Sequence, residues 1–336
     1  MMKPLKYRYV VFSTLDIESR EYVHIMYNDL QGKDNILFID SPFDNCKNKK
    51  FYQTLHKLHY HGNLNKYFEL PLKSLWNHFY FHEKLDDKQQ LCFVFFISSL
   101  RKENESFFKY LKKQYPGCKL VIYFEDIIAS RGKEGGNILR LDYIDKYFDL
   151  ALSYDKVDSE KYGFLYYPTP YSVIGIKDNP YIPQSDLFFC GAAKQRYDMI
   201  VDVYKKCIDK DTKCDFIIAR ADGNEKIDGM SYVSYMLPYS EYLEHMKKTN
   251  CLLEIIQEGS TGYTLRVWEA LVYGKKLLTN NKNILNAPFY DEKQFRYFSE
   301  IGDKEIEFIK QKQELTPRYR EELSPLRLIE CIDKNL

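Results

Sequence analysis

Short apolar runs alternate with amphipathic segments through the first half of the chain. The runs have strand length, and two of them, residues 91–98 and 119–125, are apolar almost throughout, as expected for strands at the centre of a parallel sheet. Segments between them, such as residues 105–115, repeat apolar positions at helical spacing. This alternation predicts an α/β domain with a parallel, doubly wound sheet. The predicted strands are residues 7–13, 35–40, 91–98, 119–125, 150–154 and 164–167.

A proline-rich segment separates this pattern from a second copy of it. Residues 168–183 carry four prolines, and strand and helix patterns resume at residue 187. Two Rossmann-like domains with a cleft between them are therefore predicted, and ligands of such sheets bind beyond the carboxyl ends of the strands. The predicted parts are an N-terminal domain (1–170), a linker (171–184), a C-terminal domain (185–316) and a closing helical segment that packs back on the first domain (317–336).

The clearest single unit reads strand, glycine-bearing turn, helix and strand between residues 251 and 279. A short apolar strand leads into the turn at residues 259–262. Apolar residues then recur at helical spacing as far as Gly274, a residue type that commonly ends helices. Glycines let the backbone approach a ligand closely, and the unpaired N–H groups of a helix start attract an anion. The unit therefore predicts a phosphate-binding loop.

Two charged side chains early in this helix have two possible roles. Arg266 could add a forked donor to a diphosphate, and Glu269, three residues on, could accept hydrogen bonds from ribose hydroxyls. Equally, the two residues could form an exposed i,i+3 ion pair, worth ~0.2–0.5 kcal/mol. The spacing alone leaves both interpretations open.

Composition narrows the class of protein. The chain has 49 basic and 48 acidic residues, so its net charge gives no field that favours nucleic acid. Its eight cysteines are scattered without a C-x-x-C pair or a histidine at zinc spacing, which suits a reducing compartment. Residues 1–14 lack a signal-peptide pattern, and no apolar run reaches the ~18 residues of a membrane span. We expect a cytoplasmic protein without a metal centre.

Residues 47–84 are rich in lysine, histidine and aromatic residues. We predict two helices there, broken near Pro71. The second would carry an apolar stripe flanked by lysines and histidines. This pattern fits either a core helix with a solvent-exposed edge or a helix lying on an anionic membrane. The stripe consists of Leu72, Leu75, Trp76, Phe79 and Tyr80.

The unit around residues 251–279 resembles the donor half of a bacterial glycosyltransferase family whose members come from capsule, exopolysaccharide and lipopolysaccharide gene clusters. The family pattern is a strand ending in Glu, a G-x-T-G turn, T-L-R, an A-L helix, G-K-K-L and a T-N ending. The matching positions are Glu254, 259–262, 264–266, 269–271, 274–277 and 279–280. Further matches are residues 120–126, 148–163 and 186–191 with Arg196.

The resemblance implies the GT-B fold, in which two Rossmann-like domains face each other across a cleft. The C-terminal domain would bind a nucleotide-sugar donor and the N-terminal domain an acceptor. Backbone N–H groups and cationic side chains would neutralise the diphosphate, so neither a metal nor another cofactor is expected. Around the diphosphate we expect Gly262, Tyr263, Thr264 and Arg266, and on the ribose Glu269. Further donor-side candidates are Gly191, Lys194, Arg196, Glu258 and Thr261; for Lys194 and Arg196 a solvated helix start is the alternative.

Some positions depart from the family pattern. Many retaining GT-B enzymes carry two glutamates eight residues apart, and the residue eight before Glu269 is Thr261. The stereochemical outcome is therefore not carried over. Tyr154 stands where the family usually has Phe, and Glu125 where it often has Trp, so the N-terminal match is looser.

Two aspartates are candidate bases for an acceptor hydroxyl. Asp126 follows the strand at residues 119–125 and would face the cleft, where it could take the acceptor's proton if the reaction inverts configuration. Capping the next helix or pairing with a lysine is the alternative role. Asp16, in the loop after the first strand, is the second candidate.

Other motifs bear on competing classes. Asp209-Lys210-Asp211 is a D-x-D sequence, but it ends an amphipathic helix, so we interpret it as a solvated loop. The histidines at 56, 59 and 61 have no carboxylate or cysteine nearby in sequence, which disfavours a zinc site. No G-x-G-x-x-G follows a strand and no P-loop sequence occurs, which disfavours a dehydrogenase and a P-loop kinase.

The favoured function is transfer of a sugar from a nucleotide-sugar, with a UDP-sugar as first choice, to a hydroxyl of a surface glycan or lipid-linked oligosaccharide. Peripheral contact with the inner membrane face is an additional expectation, and no nucleic acid partner is expected. The alternative is a non-catalytic nucleotide- or glycan-binding component of a surface-polysaccharide assembly system. A GT-B-fold epimerase or hydrolase would use the same donor pocket.

Overall fold

A computed structural model describes most of the chain. It divides the chain into two compact units, residues 1–170 with 325–336 and residues 171–324. The described strands form one six-stranded parallel sheet in each unit. The predicted fold class is confirmed: α/β, with two Rossmann-like parallel-sheet domains, the components of the GT-B fold. The described residues are 4–12, 20–39, 43, 46–61, 64, 70–79, 85, 89–96, 105–128, 141–221, 223–256 and 262–336.

The two sheets have the strand orders β2-β1-β3-β4-β5-β6 and β12-β11-β10-β7-β8-β9. The first contains β1 (Arg8–Phe12), β2 (Ile36–Ile39), β3 (Leu91–Phe96), β4 (Lys119–Phe124), β5 (Leu150–Ser153) and β6 (Leu165–Tyr166). The second contains β7 (Ser185–Ala192), β8 (Cys214–Ala219), β9 (Ser231–Val233), β10 (Thr249–Glu254), β11 (Lys276–Thr279) and β12 (Phe295–Tyr297). The sequence patterns predicted all of these strands except the short edge strand β12.

Helices flank both sheets. The described helices are α1 (Arg20–Met26), α2 (Lys49–His59), α3 (Glu105–Gln114), α4 (Leu141–Tyr147), α5 (Lys156–Tyr162), α6 (Tyr197–Ile208), α7 (Tyr239–Lys248), α8 (Leu265–Tyr273), α9 (Asp303–Lys310) and α10 (Pro325–Asn335). Within this part of the chain, none is both long and apolar enough to cross a bilayer.

Strand β3 lies at the centre of the first sheet, and all six of its residues are buried. Successive side chains point to opposite faces. Phe95 packs edge-on against Phe107 and Phe108 of α3, whereas Phe96 packs on Tyr27. Both faces of the strand are therefore covered, which explains its continuous apolar sequence.

Helix α10 belongs to the first unit although it comes last in the chain. Asp333 Oδ1 accepts hydrogen bonds from the backbone N–H of Lys6 at 2.9 Å and from the hydroxyl of Tyr9 at 2.8 Å. The helix begins at Pro325, later than predicted, because proline is favoured at the first helical position. The side chains that it buries completely are Leu328, Ile329 and Ile332.

Sequence signals at both ends set the limits of helix α8. Thr264 is the N-cap residue, and its Oγ1 accepts a hydrogen bond from the N–H of Arg266 at 3.3 Å. Gly274 adopts the left-handed conformation with φ 63°, and its N–H donates to the carbonyl of Ala270. A Cβ at Gly274 would also collide with the carbonyl oxygen of Leu315. The predicted helix and its glycine stop are confirmed.

The second helix predicted within residues 47–84 is a short 3₁₀ helix, Lys73–Phe79. Residues three apart share a face in this geometry. Lys73 and Trp76 are therefore buried, whereas Leu72 and Leu75 are more than half exposed. The prediction of one apolar stripe is wrong, because its members divide between two faces; Tyr80 lies outside the described residues.

Glu105 ties the start of α3 to the end of α4. Its Oε1 accepts hydrogen bonds from the Tyr147 hydroxyl at 2.5 Å and from Nζ of Lys146 at 2.9 Å, and Nζ of Lys109 lies 3.1 Å away. The Tyr147 hydrogen bond and the two lysines lower the pKa of Glu105 from 4.5 to about 2. A lowered carboxyl pKa stabilises the folded state above pH 4.5, and this stabilisation is lost as the pH falls towards 2.

Glu105→Gln should therefore lower the free energy of unfolding at pH 7 by up to about 1 kcal/mol, because the ion pairs are solvent-exposed. We expect the difference from the wild type to shrink between pH 4.5 and pH 2, where the wild-type carboxylate also loses its charge. Urea titrations across this range measure it, with Glu160→Gln, an exposed glutamate of α5, as the control. A penalty independent of pH would contradict the electrostatic account.

Candidate functional site

The carboxyl ends of three adjacent strands of the second sheet meet at one edge, because the strands are parallel. Strand β10 ends at Glu254 and β11 at Thr279, while Gly191 lies one residue before the end of β7. Helix α8 starts at the same edge, since the Thr264 hydroxyl donates to the carboxylate of Glu254. This edge is where the sequence predicts a phosphate site.

Two arginines 70 residues apart in the chain converge beside Gly191. Nη2 of Arg266 donates to the carbonyl of Cys190, and Nη1 of Arg196 donates to the carbonyl of Ile255. Both guanidinium carbons lie over the ring of Phe189, at 5.3 Å and 5.6 Å from its centroid. A Cβ built on Gly191 would lie 3.2 Å from Nη2 of each arginine. The two cations therefore share one small space against the strand end.

The electrostatics of this arginine pair are unequal. Burial and the positive charge of Arg266 lower the pKa of Arg196 to about 10, and Glu254 offsets the effect only in part. Burial acts on Arg266 in the same direction, but the charges of Tyr242, Glu269, Cys190 and Glu254 together outweigh it and raise the pKa of Arg266. The charge of Arg196 is thus incompletely compensated, which is a property of sites that bind anions.

Glu254, the last residue of β10, lies at the same edge of the sheet and is only 1% exposed. One carboxylate oxygen accepts from the hydroxyl of Thr264 and the other from the hydroxyl of Thr279. Burial raises the pKa of Glu254. The carboxylate therefore fixes the start of α8 relative to β11 and supplies negative charge to both arginines. In the sequence, the signal for this role is a glutamate that closes an apolar strand, which predicts only the end of a motif.

Glu269 lies on the buried face of α8 and is also 1% exposed. Its two oxygens accept hydrogen bonds from the hydroxyls of Tyr239 and Tyr242, each at 2.5 Å. The hydroxyls of Tyr171 and Tyr239 lie 2.9 Å apart, and burial raises the pKa of Glu269. The alternative of an exposed ion pair between Arg266 and Glu269 is wrong, because the glutamate is enclosed by tyrosines. Ribose binding by Glu269 stays a prediction. It would require one tyrosine hydroxyl to release its hydrogen bond, so that a carboxylate oxygen could accept one from the ribose.

Two asparagines after β11 hold the residues on either side of the predicted turn. Oδ1 of Asn280 accepts from the N–H of Ile256 at 2.8 Å, and Nδ2 of Asn281 donates to the carbonyl of Gly262 at 3.0 Å. The ring of Tyr263 packs against Phe289 and Trp268, with centroids 5.1 Å and 5.8 Å away. Gly262, Tyr263 and Thr264 are therefore fixed in place at the start of α8, the helix that contains Arg266.

Some predicted site residues lie outside the described part of the chain. These are Asp16, Glu258 and Thr261, together with the side chain of Lys194.

Asp126 lies in the first unit, just beyond β4, and its side chain is exposed. Its Oδ1 accepts from the N–H of Ile127 at 2.9 Å. Two residues on, the N–H of Ile128 donates to Oδ2 of Asp158 at 2.8 Å. Burial and the charges of Asp155 and Asp126 raise the pKa of Asp158. Asp126 is thus an accessible carboxylate at a strand end, where ligands of parallel sheets bind.

The D-x-D sequence lies in the turn after α6. Nζ of Lys210 pairs with Asp303 at 2.8 Å, and Asp211 has a left-handed φ of 52°. Among the described residues, no group of three or more His, Cys, Asp or Glu side chains is placed to hold a metal ion. Among the three histidines considered as zinc ligands, His59 accepts a hydrogen bond from Trp76 Nε1 at 2.8 Å.

No protein-family model matches the chain, and no curated protein matches its sequence. Solved structures similar to it include an alpha-glucosyltransferase in complex with UDP-glucose and DNA containing an abasic site, at 12% identity and a TM-score of 0.47 over 98% of this chain and 93% of the other. A trehalose-6-phosphate synthase is 10% identical, with a TM-score of 0.48 over 98% and 96% of the two chains. Identities and TM-scores this low do not assign an activity to this chain.

Proposed function

We propose that this protein is a glycosyltransferase that moves a sugar from a nucleoside diphosphate donor, with a UDP-sugar as first choice, to a hydroxyl of a surface glycan or lipid-linked oligosaccharide. The observation that carries the proposal is the pair of guanidinium groups, Arg196 and Arg266, packed together at Gly191. The resemblance of residues 251–279 to capsule and lipopolysaccharide glycosyltransferases supports the choice of reaction.

The arginine pair favours an anion with more than one charge. Burial and the nearby charge of Arg266 both lower the pKa of Arg196, so the two half-buried cations disfavour each other's charge. The oxygens of Glu254 already accept hydrogen bonds from two threonine hydroxyls. An external anion would therefore compensate the remaining positive charge of the arginine pair. A diphosphate matches this need, since each guanidinium offers a planar fork of donors to phosphate oxygens. The positive end of the α8 dipole at Thr264 adds to the attraction.

In this reaction the acceptor oxygen bonds to the anomeric carbon while the bond from that carbon to the diphosphate breaks. Negative charge develops on the leaving diphosphate, and donors already fixed by packing stabilise it without reorganisation. The acceptor proton passes to a base, for which Asp126 is our first candidate and Asp16 the second. The arginines would perform the neutralisation, so we propose that the reaction needs no metal.

Titration calorimetry of UDP, GDP, dTDP and CMP in the absence of divalent metal tests the proposal. We expect one nucleoside diphosphate to bind, and its sugar derivatives then become the donors to screen for transfer. If no nucleotide binds with or without Mg²⁺, the proposal fails.

Gly191→Ala tests the close approach of the two arginines. Its Cβ would press on both Nη2 atoms and would lie 3.5 Å from the Phe189 ring, so the guanidinium groups must shift by a few tenths of an ångström. We expect the nucleotide Kd to rise about threefold to tenfold with a stability change within about 1 kcal/mol. Gly175→Ala is the matched control, since a Cβ there meets nothing within 4 Å. Equal affinities of the two variants would contradict the proposed anion position.

A non-catalytic nucleotide-binding component is the second candidate. The observation that favours it is the engagement of Glu254 and Glu269, whose oxygens accept hydrogen bonds from the protein itself. A turnover assay separates the two functions: nucleotide binding without sugar transfer or donor hydrolysis, for every sugar of the bound nucleotide, would favour the binding component.

We also propose that the protein acts in a capsule or lipopolysaccharide system, at the inner membrane face.

A further inference from the structure

Exposed apolar side chains are concentrated in one segment of the first unit. Of the thirteen large hydrophobic side chains recorded as exposed among the described residues, six lie between residues 51 and 75, with 43% to 66% of each exposed. Single exposed hydrophobics are ordinary, but a cluster of this kind marks an interaction surface. The six are Phe51, Leu55, Leu58, Leu64, Leu72 and Leu75.

Three of them form a stripe along helix α2. Phe51, Leu55 and Leu58 follow the spacing i, i+4, i+7 and therefore share one face of the helix. The opposite face is anchored in the core, because His56 and Tyr60 are buried and the His56 ring packs edge-on against Trp76 with centroids 5.1 Å apart. The outer stripe thus contributes little to the core of the unit.

The 3₁₀ helix and the residue before it add two more leucines beside α2. His59 joins the two segments: Trp76 Nε1 donates to His59 Nδ1 at 2.8 Å, and His59 Nε2 lies 2.9 Å from the Pro71 carbonyl oxygen. Leu72 and Leu75, one 3₁₀ turn apart, remain on the exposed side. We call Phe51, Leu55, Leu58, Leu72 and Leu75 together the α2 face.

The charged residues along α2 and its flanks, residues 46–61, carry one sign. Residues 46–61 contain four lysines, at positions 47, 49, 50 and 57, and no aspartate or glutamate. Lys47, Lys50 and Lys57 are exposed. A helix with apolar residues on its outer face and lysines beside them has the composition of helices that lie in the plane of a membrane interface.

We propose that the α2 face docks on a lipid bilayer that carries anionic headgroups. The leucines and Phe51 would enter the boundary between headgroups and acyl chains, while the lysines contact phosphates. A second copy of the chain fits less well, because pairing two such faces would bring their lysines together without compensating carboxylates. Docking by this surface deepens the proposed action at the inner membrane face by naming the surface involved, and it can be tested without any assay of sugar transfer.

Co-sedimentation of the full chain with vesicles tests this. We expect binding to vesicles of phosphatidylcholine mixed with phosphatidylglycerol, weaker binding to phosphatidylcholine alone, and loss of binding as salt is raised. The double substitutions Leu55→Ser with Leu58→Ser, and Lys50→Glu with Lys57→Glu, should each weaken vesicle binding at least about tenfold. Ile208→Ser with Leu285→Ser removes equally exposed apolar side chains in the second unit and should bind as the wild type does.

Three outcomes would overturn the proposal. The first is that the wild type binds neither kind of vesicle. The second is that both double variants bind as well as the wild type. The third is self-association of the wild type, seen by light scattering after gel filtration and lost in the leucine variant, without vesicle binding. Far-ultraviolet circular dichroism checks folding, and unchanged nucleotide titrations in the variants would keep this test separate from that of the donor site.

Discussion

Replacement of Arg266 by alanine is expected to weaken nucleoside diphosphate binding by roughly tenfold to a hundredfold, because hydrogen bonds to charged groups contribute about 1.5–3 kcal/mol each. The side chain is positioned for this role by the carbonyl of Cys190 and the ring of Phe189. Sugar transfer should fall at least as much, since the departing diphosphate carries more charge than the bound substrate. Calorimetry and turnover assays measure the two losses.

The same substitution should also affect stability, which must be separated from binding. Without Arg266, the buried carboxylates of Glu254 and Glu269 lose a compensating cation, so the melting temperature should fall. Arg266→Lys keeps the charge but loses the planar fork, and we expect it to restore stability more fully than nucleotide affinity. Arg327→Ala, an exposed arginine of α10, is the control. Wild-type affinity in both Arg266 variants would remove the diphosphate assignment.

The local part of this site was predictable from sequence. Thr264, Arg266 and Gly274 belong to one continuous helix whose cap, apolar face and glycine stop are all local signals. The strand ends were predictable too, because continuous apolar runs indicate buried parallel strands. These features place the predicted phosphate loop at the carboxyl edge of the second sheet.

The tertiary part was not predictable, because it depends on which strands are neighbours. Arg196 reaches Arg266 only because β7 lies next to β10 in the sheet, and sequence patterns do not give strand order. The enclosure of Glu269 depends on Tyr239 and Tyr242 of α7 facing α8. The 3₁₀ helix differs from the predicted α-helix because an apolar spacing of three or four residues is compatible with both geometries.

Glu269→Ala is expected to destabilise the second unit by about 2–5 kcal/mol, because it removes the carboxylate oxygens that accept hydrogen bonds from the buried hydroxyls of Tyr239 and Tyr242. Glu269→Gln keeps the side-chain volume and one acceptor oxygen, so its cost should be smaller. Trp268 precedes Glu269 in α8, and the chain has only two tryptophans. Its fluorescence in a Trp76→Phe background therefore reports urea unfolding of this unit.

The pH dependence of these variants identifies the role of the carboxyl group. Burial raises the folded-state pKa of Glu269 above its ordinary value of 4.5, so the folded state holds the proton at a higher pH than the unfolded state does. Its contribution to stability is therefore greatest below pH 4.5 and declines as the pH rises through the folded pKa. Glutamine does not titrate, so the stability difference between wild type and Glu269→Gln should change over this range. This difference includes the interaction with Glu254, whose charge also raises the pKa of Glu269. If the glutamine variant instead loses nucleotide affinity with unchanged stability at every pH, Glu269 serves the ribose rather than the tyrosines.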